Sequence, residues 1–338
     1  MTSTETPIEI EVERKKPSGL LGKLTAIPTP VIFIGSIGLA MLLLWRTGDV
    51  GEVIDSLREA NPWLLVLGAF LYLAGLFLLC IRWHRLVIMV HGSSNFGRAG
   101  EAFLTSVVIN YAAPVGLAVP TRAALTKRAL GLTITETGAV ALWEVGADVI
   151  ILGIASALWL VTGGYSNSGY SVSDITPLVG FGIAATVVVG IGAVLVVLRS
   201  VRIAPIRHKI RQVLTYPGKN PREAAISLIV TAIYWVMQGA VLAIMLNALG
   251  VHPDPLLVLG ITSVPILVGM LSPLPGGAGI REALMGGIAR IHGAAVSPTI
   301  FAAVAYRLAL FASIPVLYLL FRVWLSFTKS KDPLTEEA

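Results

Sequence analysis

Long hydrophobic runs separated by short polar stretches dominate the chain. Crossing the hydrocarbon core of a bilayer as a helix takes about 20 apolar residues. Seven runs reach or approach this length: 30–46, 62–81, 134–161, 175–198, 224–249, 256–271 and 299–321. Strands with open edges cannot satisfy their backbone hydrogen bonds in lipid, so the runs predict helices. The pattern therefore predicts an all-α polytopic membrane protein.

Composition supports a membrane protein and offers no sign of a cofactor. The chain is 55% hydrophobic and 13% charged, whereas soluble domains carry about 25% charged residues. Residues 1–27 are polar and lack the apolar centre of a cleavable signal peptide, so they are predicted to form a cytoplasmic tail. Cys80 is the only cysteine, and the five histidines lack metal-ligand spacing. We predict neither a disulfide within the chain nor a metal or cofactor.

The distribution of lysine and arginine predicts the orientation. If both termini, the residues from 82, the segment near 127 and the loop 199–222 lie on one side, that side holds 19 of the 25 basic residues. Basic loops stay in the cytoplasm, so we expect both termini there, in the plasma membrane. Arg82 belongs to this cytoplasmic set. Loop 199–222 is expected to lie near anionic lipid headgroups rather than to bind nucleic acid.

Two segments begin and end on the same side in this topology. Segment 95–130 is too short for two crossings of about 20 residues each, and segment 256–297 must return to the outside. Both are predicted to be helical hairpins that enter the membrane and return. The first turns near residues 110–116 and the second near residues 272–284, and they open to opposite faces.

The two hairpins also resemble each other in sequence. Setting "NYAAPVGLAVPTRAAL" (110–125) over "GMLSPLPGGAGIREAL" (269–284) aligns Pro114 with Pro273 and Arg122 with Arg281. The flanking runs repeat at a similar offset. We therefore predict an inverted repeat of two halves, each with three spans and one re-entrant hairpin, an arrangement typical of transporters. Its parts are the halves 28–163 and 175–325, the external loop 164–174 and the cytoplasmic tail 326–338.

Prolines and glycines interrupt both hairpins. The interrupting residues are Pro114, Gly116, Pro273, Pro275, Gly276, Gly277 and Gly279. A broken helix frees backbone groups that lipid cannot satisfy, so the breaks are expected to line a wet cavity. A half-helix starting near Gly279 would point its positive end, with Arg281 in its first turn, at an anion. The alternative is that these residues merely kink packed helices.

Charged residues inside the apolar runs are the candidate binding groups. They are Arg122, Arg281, Arg307, Glu144, Asp148 and Glu282, with Asn110 beside the first break. Glu144 and Asp148, four residues apart, share one helix face. Equal numbers of arginines and acids permit a buried ion-pair network. Alternatively, the arginines bind a phosphate through their planar guanidinium groups, and the acids position them, bind a cationic headgroup or carry protons. Glu101 and Glu136, nearer helix ends, are expected to be solvated or to cap helices.

These motifs resemble the lysylphosphatidylglycerol synthase transmembrane region family over about residues 30–325. The most specific parts are "PLPGGAGIREA" and "YRLA", preceded by the pattern from Asn110 to Arg122 and by the Glu144–Asp148 pair. The sequence departs from the family pattern in "APVGLAVP" and at Val145, where an arginine is frequent. In bifunctional members this domain is joined to a lipid-aminoacylating enzyme and moves the modified lipid across the membrane. Since this chain ends soon after its last predicted span, we expect no transferase domain.

The resemblance and the charged residues together favour a flippase-like lipid transporter rather than an enzyme. Its expected partner is a membrane lipid, an anionic phospholipid or a polyprenyl-phosphate-linked lipid, moved between leaflets. A proton-coupled transporter of a small soluble anion would use the same groups. A membrane-embedded lipid-modifying enzyme is a further alternative, since paired carboxylates can act as acid and base.

Overall fold

The structure, a computed structural model, describes residues 58–112, 130–162, 213–271 and 279–329, and all regular secondary structure in these ranges is helical. Its helices are α1 Pro62–His91, α2 Phe96–Ala112, α3 Ile134–Val161, α4 Pro221–Ala248, α5 Pro255–Leu271, α6 Ile280–Ile291 and α7 Val296–Lys329. A further helical stretch covers 213–219. The all-α prediction is confirmed for these ranges. The predicted spans 30–46 and 175–198 lie outside them.

Three of the described helices, α1, α3 and α4, are long and apolar enough to cross a membrane. Helix α1 begins where the Asn61 side chain accepts a hydrogen bond from the Trp63 N–H, and it ends at Gly92, which is left-handed with φ 89°. Its 30 residues span roughly 45 Å at 1.5 Å per residue. The helix thus continues well past residue 81, where the sequence predicted the span to end.

Helix α3 begins with a reciprocal cap. The Thr133 hydroxyl accepts from the Glu136 N–H at 3.2 Å, and the Glu136 carboxylate accepts from the Thr133 N–H at 2.7 Å. Together these bonds satisfy two backbone donors that the first helical turn leaves without partners. The capping role expected for Glu136 is confirmed.

Helices α1 and α4 share the largest interface among the described helices. Gly68 and Gly75 of α1 lie against Met245 and Gln238 of α4, where an added Cβ would come within 3.4 and 2.5 Å of their side chains. Small residues let membrane helices approach closely, which maximises van der Waals contact. The opposite surfaces expose apolar side chains, as lipid-facing helices do; Val236 is 75% exposed.

One end of the bundle joins the C-terminal end of α1 to the beginnings of α3 and α4. The His91 Nδ1 lies 3.0 Å from a Glu136 carboxylate oxygen. The Asn220 amide donates to the Met89 carbonyl at 2.7 Å. Segment 92–133, which contains α2, therefore begins and ends at this same end of the bundle.

The other end joins the C-terminal ends of α3 and α6 to the beginning of α5. The Trp159 indole donates to the His292 Nε2 at 3.3 Å, and the His292 Nδ1 lies 3.3 Å from the Asp254 carboxylate. Helices α5 and α6 also pack against each other. Segment 254–292 thus begins and ends here, beside Trp159, about 35 Å along α3 from Glu136 at 1.5 Å per residue.

Candidate functional site

A buried ion network connects three helices in the middle of the bundle. Arg82 of α1 donates from Nη2 to a Glu144 carboxylate oxygen at 3.0 Å and from Nη1 to Asp148 Oδ1 at 2.5 Å. The Trp235 indole of α4 donates to the same Asp148 oxygen at 2.8 Å. Arg82 is only 3% exposed. The four-residue spacing does bring both carboxylates to one face of α3, where they share one guanidinium.

Arg82 lies inside the bundle, whereas the sequence predicted it on the cytoplasmic side and predicted other arginines as partners of the acids. The apolar run does stop at residue 81, and the following arginines resemble a span boundary. However, Trp83, Leu86, Val87 and Val90 are all buried, and they recur at helical spacing. This periodicity was the signal that α1 continues and that Arg82 faces the interior.

Removing one charged member of this network should lower the stability of the protein, because the remaining charges stay buried. Taking charges out of water costs several kcal/mol per ion, which their mutual attraction offsets only with good geometry and further hydrogen bonds. The two guanidinium bonds and the Trp235 indole provide such geometry. The acids on α3 thereby fix this helix against α1 and α4.

A second group of residues surrounds the start of α6. Gly279, with φ 80°, precedes the first helical residue, so α6 begins where the glycine break predicted it. The buried Glu282 carboxylate accepts from the Gly279 N–H at 2.8 Å. The half-buried Arg281 lies in the first turn, and its Nε is buried without a hydrogen-bond partner in the described part of the chain. Arg281 thus adds a positive charge to the first turn of a helix whose N-terminus is itself positively polarised, and the Glu282 carboxylate occupies one of its N–H donors. The remaining positive charge suits an anion.

The model of the lysylphosphatidylglycerol synthase TM region family matches residues 32–317. The chain belongs to this family. No curated protein and no solved structure matches the chain. The resemblance noted in "PLPGGAGIREA" and "YRLA" is thus confirmed, and the protein is a membrane protein of a family associated with lipids. Both the Arg82 network and the start of α6 lie within the matched region.

Of the remaining site residues predicted from the sequence, two lie in described helices of this family member and the others do not. Asn110 lies in the last turns of α2 and Arg307 in α7, both as backbone positions. The others lie outside the described residues: Arg122, Pro114, Gly116, Pro273, Pro275, Gly276 and Gly277. In the described ranges no group of three histidine, cysteine or acidic side chains is placed to hold a metal ion.

A buried polar pair that was not predicted from the sequence lies next to Arg307 in the chain. The Tyr306 hydroxyl donates to the Gln238 Oε1 at 2.7 Å, and the Tyr306 ring meets Tyr72 edge to face at 5.0 Å. Gln238 is 1% exposed. Glutamine in an apolar run is an obvious candidate for a buried hydrogen bond, so its position in α4 was the available signal. This pair anchors the first third of α7 against α1 and α4.

Proposed function

We propose that this chain is a flippase-like lipid transporter that moves the headgroup of an anionic phospholipid or polyprenyl-phosphate-linked lipid between leaflets. The observation that carries the proposal is the position of Arg281. It lies in the first turn of a helix that begins directly after a left-handed glycine, and its Nε is buried without a hydrogen-bond partner among the described residues. Membership of a lipid-associated membrane family makes a phosphate-bearing headgroup the natural ligand.

The inverted arrangement of two re-entrant hairpins is part of this proposal. The His91–Glu136 contact and the His292–Asp254 contact close the two hairpin segments at opposite ends of α3. This supports one hairpin opening to each membrane face. An interrupted segment at membrane depth must be enclosed by protein or line a water-filled cavity. The headgroup would cross in that cavity while its acyl chains stay in lipid.

Within this mechanism the charged groups have separate roles. Arg281, with Arg122 from the other hairpin and Arg307 from α7, would bind the phosphate, because a guanidinium donates two parallel hydrogen bonds to such an oxyanion. Glu282 holds the start of α6 through its bond to Gly279. Glu144 and Asp148, which bind Arg82, would fix the helices around the cavity.

Headgroup movement in proteoliposomes tests the role of Arg281. A fluorescent phosphatidylglycerol is incorporated into vesicles, and a membrane-impermeant reductant bleaches only the outer leaflet, so transport raises the bleached fraction. Arg281→Ala should abolish movement, and Arg281→Lys should restore it only in part, since lysine keeps the charge but loses the planar fork. Arg290→Ala is the matched control, because Arg290 lies exposed in the last turn of the same helix. If the Arg281→Ala variant moved the lipid at the wild-type rate, the role assigned to Arg281 would be rejected.

The same vesicles separate the proposal from its two alternatives. Uptake of radiolabelled phosphate, dependent on a proton gradient and without lipid movement, would indicate a soluble-anion transporter. Conversion of the lipid to a product of different mass would indicate an enzyme. We propose transport without catalysis, in the plasma membrane with both termini cytoplasmic.

A further inference from the structure

At the end of the bundle that joins α3, α5 and α6, one histidine lies between a donor and an acceptor. The Trp159 indole of α3 donates to the His292 Nε2 at 3.3 Å, and the His292 Nδ1 lies 3.3 Å from an Asp254 carboxylate oxygen. An indole N–H can only donate, so Nε2 is the nitrogen without a hydrogen. Nδ1 then carries the hydrogen and donates it to Asp254. The two contacts therefore select a neutral imidazole in a single tautomer.

Each partner in this contact is fixed by its own helix. Trp159 is fully buried, and Gly260 of α5 lies so close that an added Cβ would come within 2.6 Å of the indole nitrogen. Asp254 caps the start of α5, because its other carboxylate oxygen accepts from the Leu257 N–H at 2.8 Å. His292 is the C-terminal cap of α6, and its side chain is 2% exposed. One imidazole thus links the end of α6 to both α3 and α5.

Protonation of His292 would change its two contacts in opposite directions. A protonated imidazole has two donors and no acceptor, so Nε2 would present an N–H to the indole N–H of Trp159. The buried indole would lose its acceptor, which is costly. The contact with Asp254 would persist, since a charged donor strengthens a hydrogen bond to a carboxylate. Acid therefore weakens the link between α6 and α3 and keeps the link between α6 and α5.

The described helices bring few other charged groups to this end of the bundle. The sequence has no titratable residue in 149–162 of α3, 235–248 of α4, 255–271 of α5 or 296–305 of α7. On α6 the exposed Arg290 precedes His292 by two residues. Before α5 the exposed His252 contacts Asn247 at 2.9 Å. Among the described residues, the charged side chain that contacts His292 is Asp254.

Helix α6 connects this histidine to the proposed phosphate site. Arg281 lies in the first turn of α6 and His292 caps its other end, so 12 helical residues separate the two regions. Such a helix is only about 18 Å long at 1.5 Å per residue, and its backbone hydrogen bonds make it move as a unit. The contacts of His292 consequently help to determine where Arg281 lies.

We propose that His292 is a positioning residue for Arg281, and that protonation of His292 releases α5 and α6 from α3 and slows headgroup movement. With a neutral imidazole, the bond to Trp159 holds α6 where Arg281 binds the phosphate. With a protonated imidazole, α5 and α6 stay joined through Asp254 and lose this bond to α3. The inference rests on the proposed function for the ligand of Arg281, but not for the protonation of His292 or the movement of α6.

Nitrogen NMR of the full chain in nanodiscs, with isotope-labelled histidine, tests the protonation states. The chain has five histidines, and the signals of His292 are those that His292→Gln removes. We expect a hydrogen on Nδ1 alone at about pH 8 and on both nitrogens at about pH 5, since imidazole changes its charge in this range. A hydrogen on Nε2 at the higher pH, or no second hydrogen at the lower pH, would overturn the proposal.

Distances between spin labels on α3 and α6 measure the movement without any transport. Leu142 of α3 is 51% exposed, and a Cβ at Gly287 of α6 would meet no atom within 4 Å, so both positions accept a labelled cysteine. The native Cys80 is buried and should stay unlabelled. Acidification should shift or broaden the distribution of distances between the labels. Identical distributions at the two pH values would contradict the release of α6.

Two histidine variants identify the group that responds to acid. His292→Gln offers the Trp159 indole an amide oxygen as acceptor and takes up no proton, so it should abolish the change in distance. His252→Gln is the matched control, because His252 is exposed near the start of α5 and contacts Asn247 instead. The control should respond to acid as the unchanged chain does. A full response in His292→Gln would exclude His292 as the cause.

Headgroup movement over the same pH range, corrected with protein-free vesicles at each pH, provides the functional measurement. The rate should fall by about two- to tenfold on acidification, the equivalent of one hydrogen bond, and His292→Gln should remove this dependence. If His292→Gln lowered the rate equally at both pH values and kept the wild-type profile, its role would be merely structural and the proposal would be wrong.

The three measurements keep this inference separate from the proposed function. The expected NMR and distance changes without headgroup movement at any pH would support the protonation of His292 and the release of α6, and would contradict transport. Headgroup movement with the same pH profile in the wild type and in His292→Gln would support transport and overturn the positioning role.

Discussion

Replacing Arg82 with glutamine should destabilise the protein far more than the same change at Arg85, three residues along α1. Arg82 makes two charge-assisted hydrogen bonds to buried carboxylates, each typically contributing about 1.5–3 kcal/mol. Removing one partner of a buried ion pair costs about 3–5 kcal/mol, because the remaining charges stay buried. Arg85 instead meets Glu223 at 3.3 Å with a side chain that is 36% exposed, where an ion pair contributes about 0.2–1 kcal/mol.

These free energies translate into a measurable difference in melting temperature. For large domains about 2 °C is lost per kcal/mol, so Arg82→Gln should lower the melting temperature by roughly 6–10 °C and Arg85→Gln by about 2 °C or less. The assay heats the detergent-solubilised protein and measures the fraction that remains monodisperse on size-exclusion chromatography. Equal losses for the two variants would refute the assignment of Arg82 to a buried network.

A neutralised network provides the complementary test of the same argument. The triple variant Arg82→Gln, Glu144→Gln, Asp148→Asn leaves no buried charge without a partner in this network, so it avoids the penalty of an uncompensated buried charge. It should therefore be more stable than Arg82→Gln alone. If the three changes lower stability additively, the guanidinium is not coupled to the two carboxylates.

Two further substitutions test the packing and the caps with the same thermal assay. Gly260→Ala places a Cβ 2.6 Å from the indole nitrogen of the fully buried Trp159 and should lower the stability of the protein by about 1–3 kcal/mol. Gly153→Ala, whose Cβ would meet no atom within 4 Å, should leave stability unchanged or raise it by up to about 1 kcal/mol. Equal effects of the two variants would contradict the close contact between α3 and α5. Thr133→Ala removes the reciprocal cap of α3 and should lower the stability of the protein by about 1 kcal/mol. Thr133→Ser keeps the capping hydroxyl and should retain most of that stability. If Thr133→Ser lost as much stability as Thr133→Ala, the hydroxyl would be excluded as the source of the stabilisation.

Much of the described helical structure could be predicted from local patterns, but the partners of the charged residues could not. The predicted runs 224–249 and 256–271 match α4, Pro221–Ala248, and α5, Pro255–Leu271, closely, since apolar runs and their polar flanks are local properties of a chain. The bond between Trp235 and Asp148 joins residues 87 positions apart. A single sequence carries no record of such a pairing, because an indole and a carboxylate each have many suitable partners.

Arg82 shows why counting lysine and arginine residues on each side of the membrane misplaced one of them. A positive residue at the end of an apolar run satisfies the positive-inside pattern whether it lies in the cytoplasm or faces the interior of the bundle. Only its neighbours distinguish the two, since Trp83 and Leu86 are also buried. Buried acids four residues apart on another helix demand a cation, but Arg122, Arg281 and Arg307 would meet that demand equally well, so it does not select Arg82.

The position of the network also restricts how a headgroup could be moved. Under the proposed repeat, Asp148 belongs to the first half and Trp235 to the second, so their hydrogen bond crosses between the halves. At the adjoining interface of α1 and α4, Gly75 lies so close to Gln238 that an added Cβ would approach within 2.5 Å. Rocking one whole half against the other would break the hydrogen bond between Trp235 and Asp148 and would separate Gly75 from Gln238. Movement confined to the hairpins would break neither, so the proposed transport is expected to leave α1, α3 and α4 as a fixed centre.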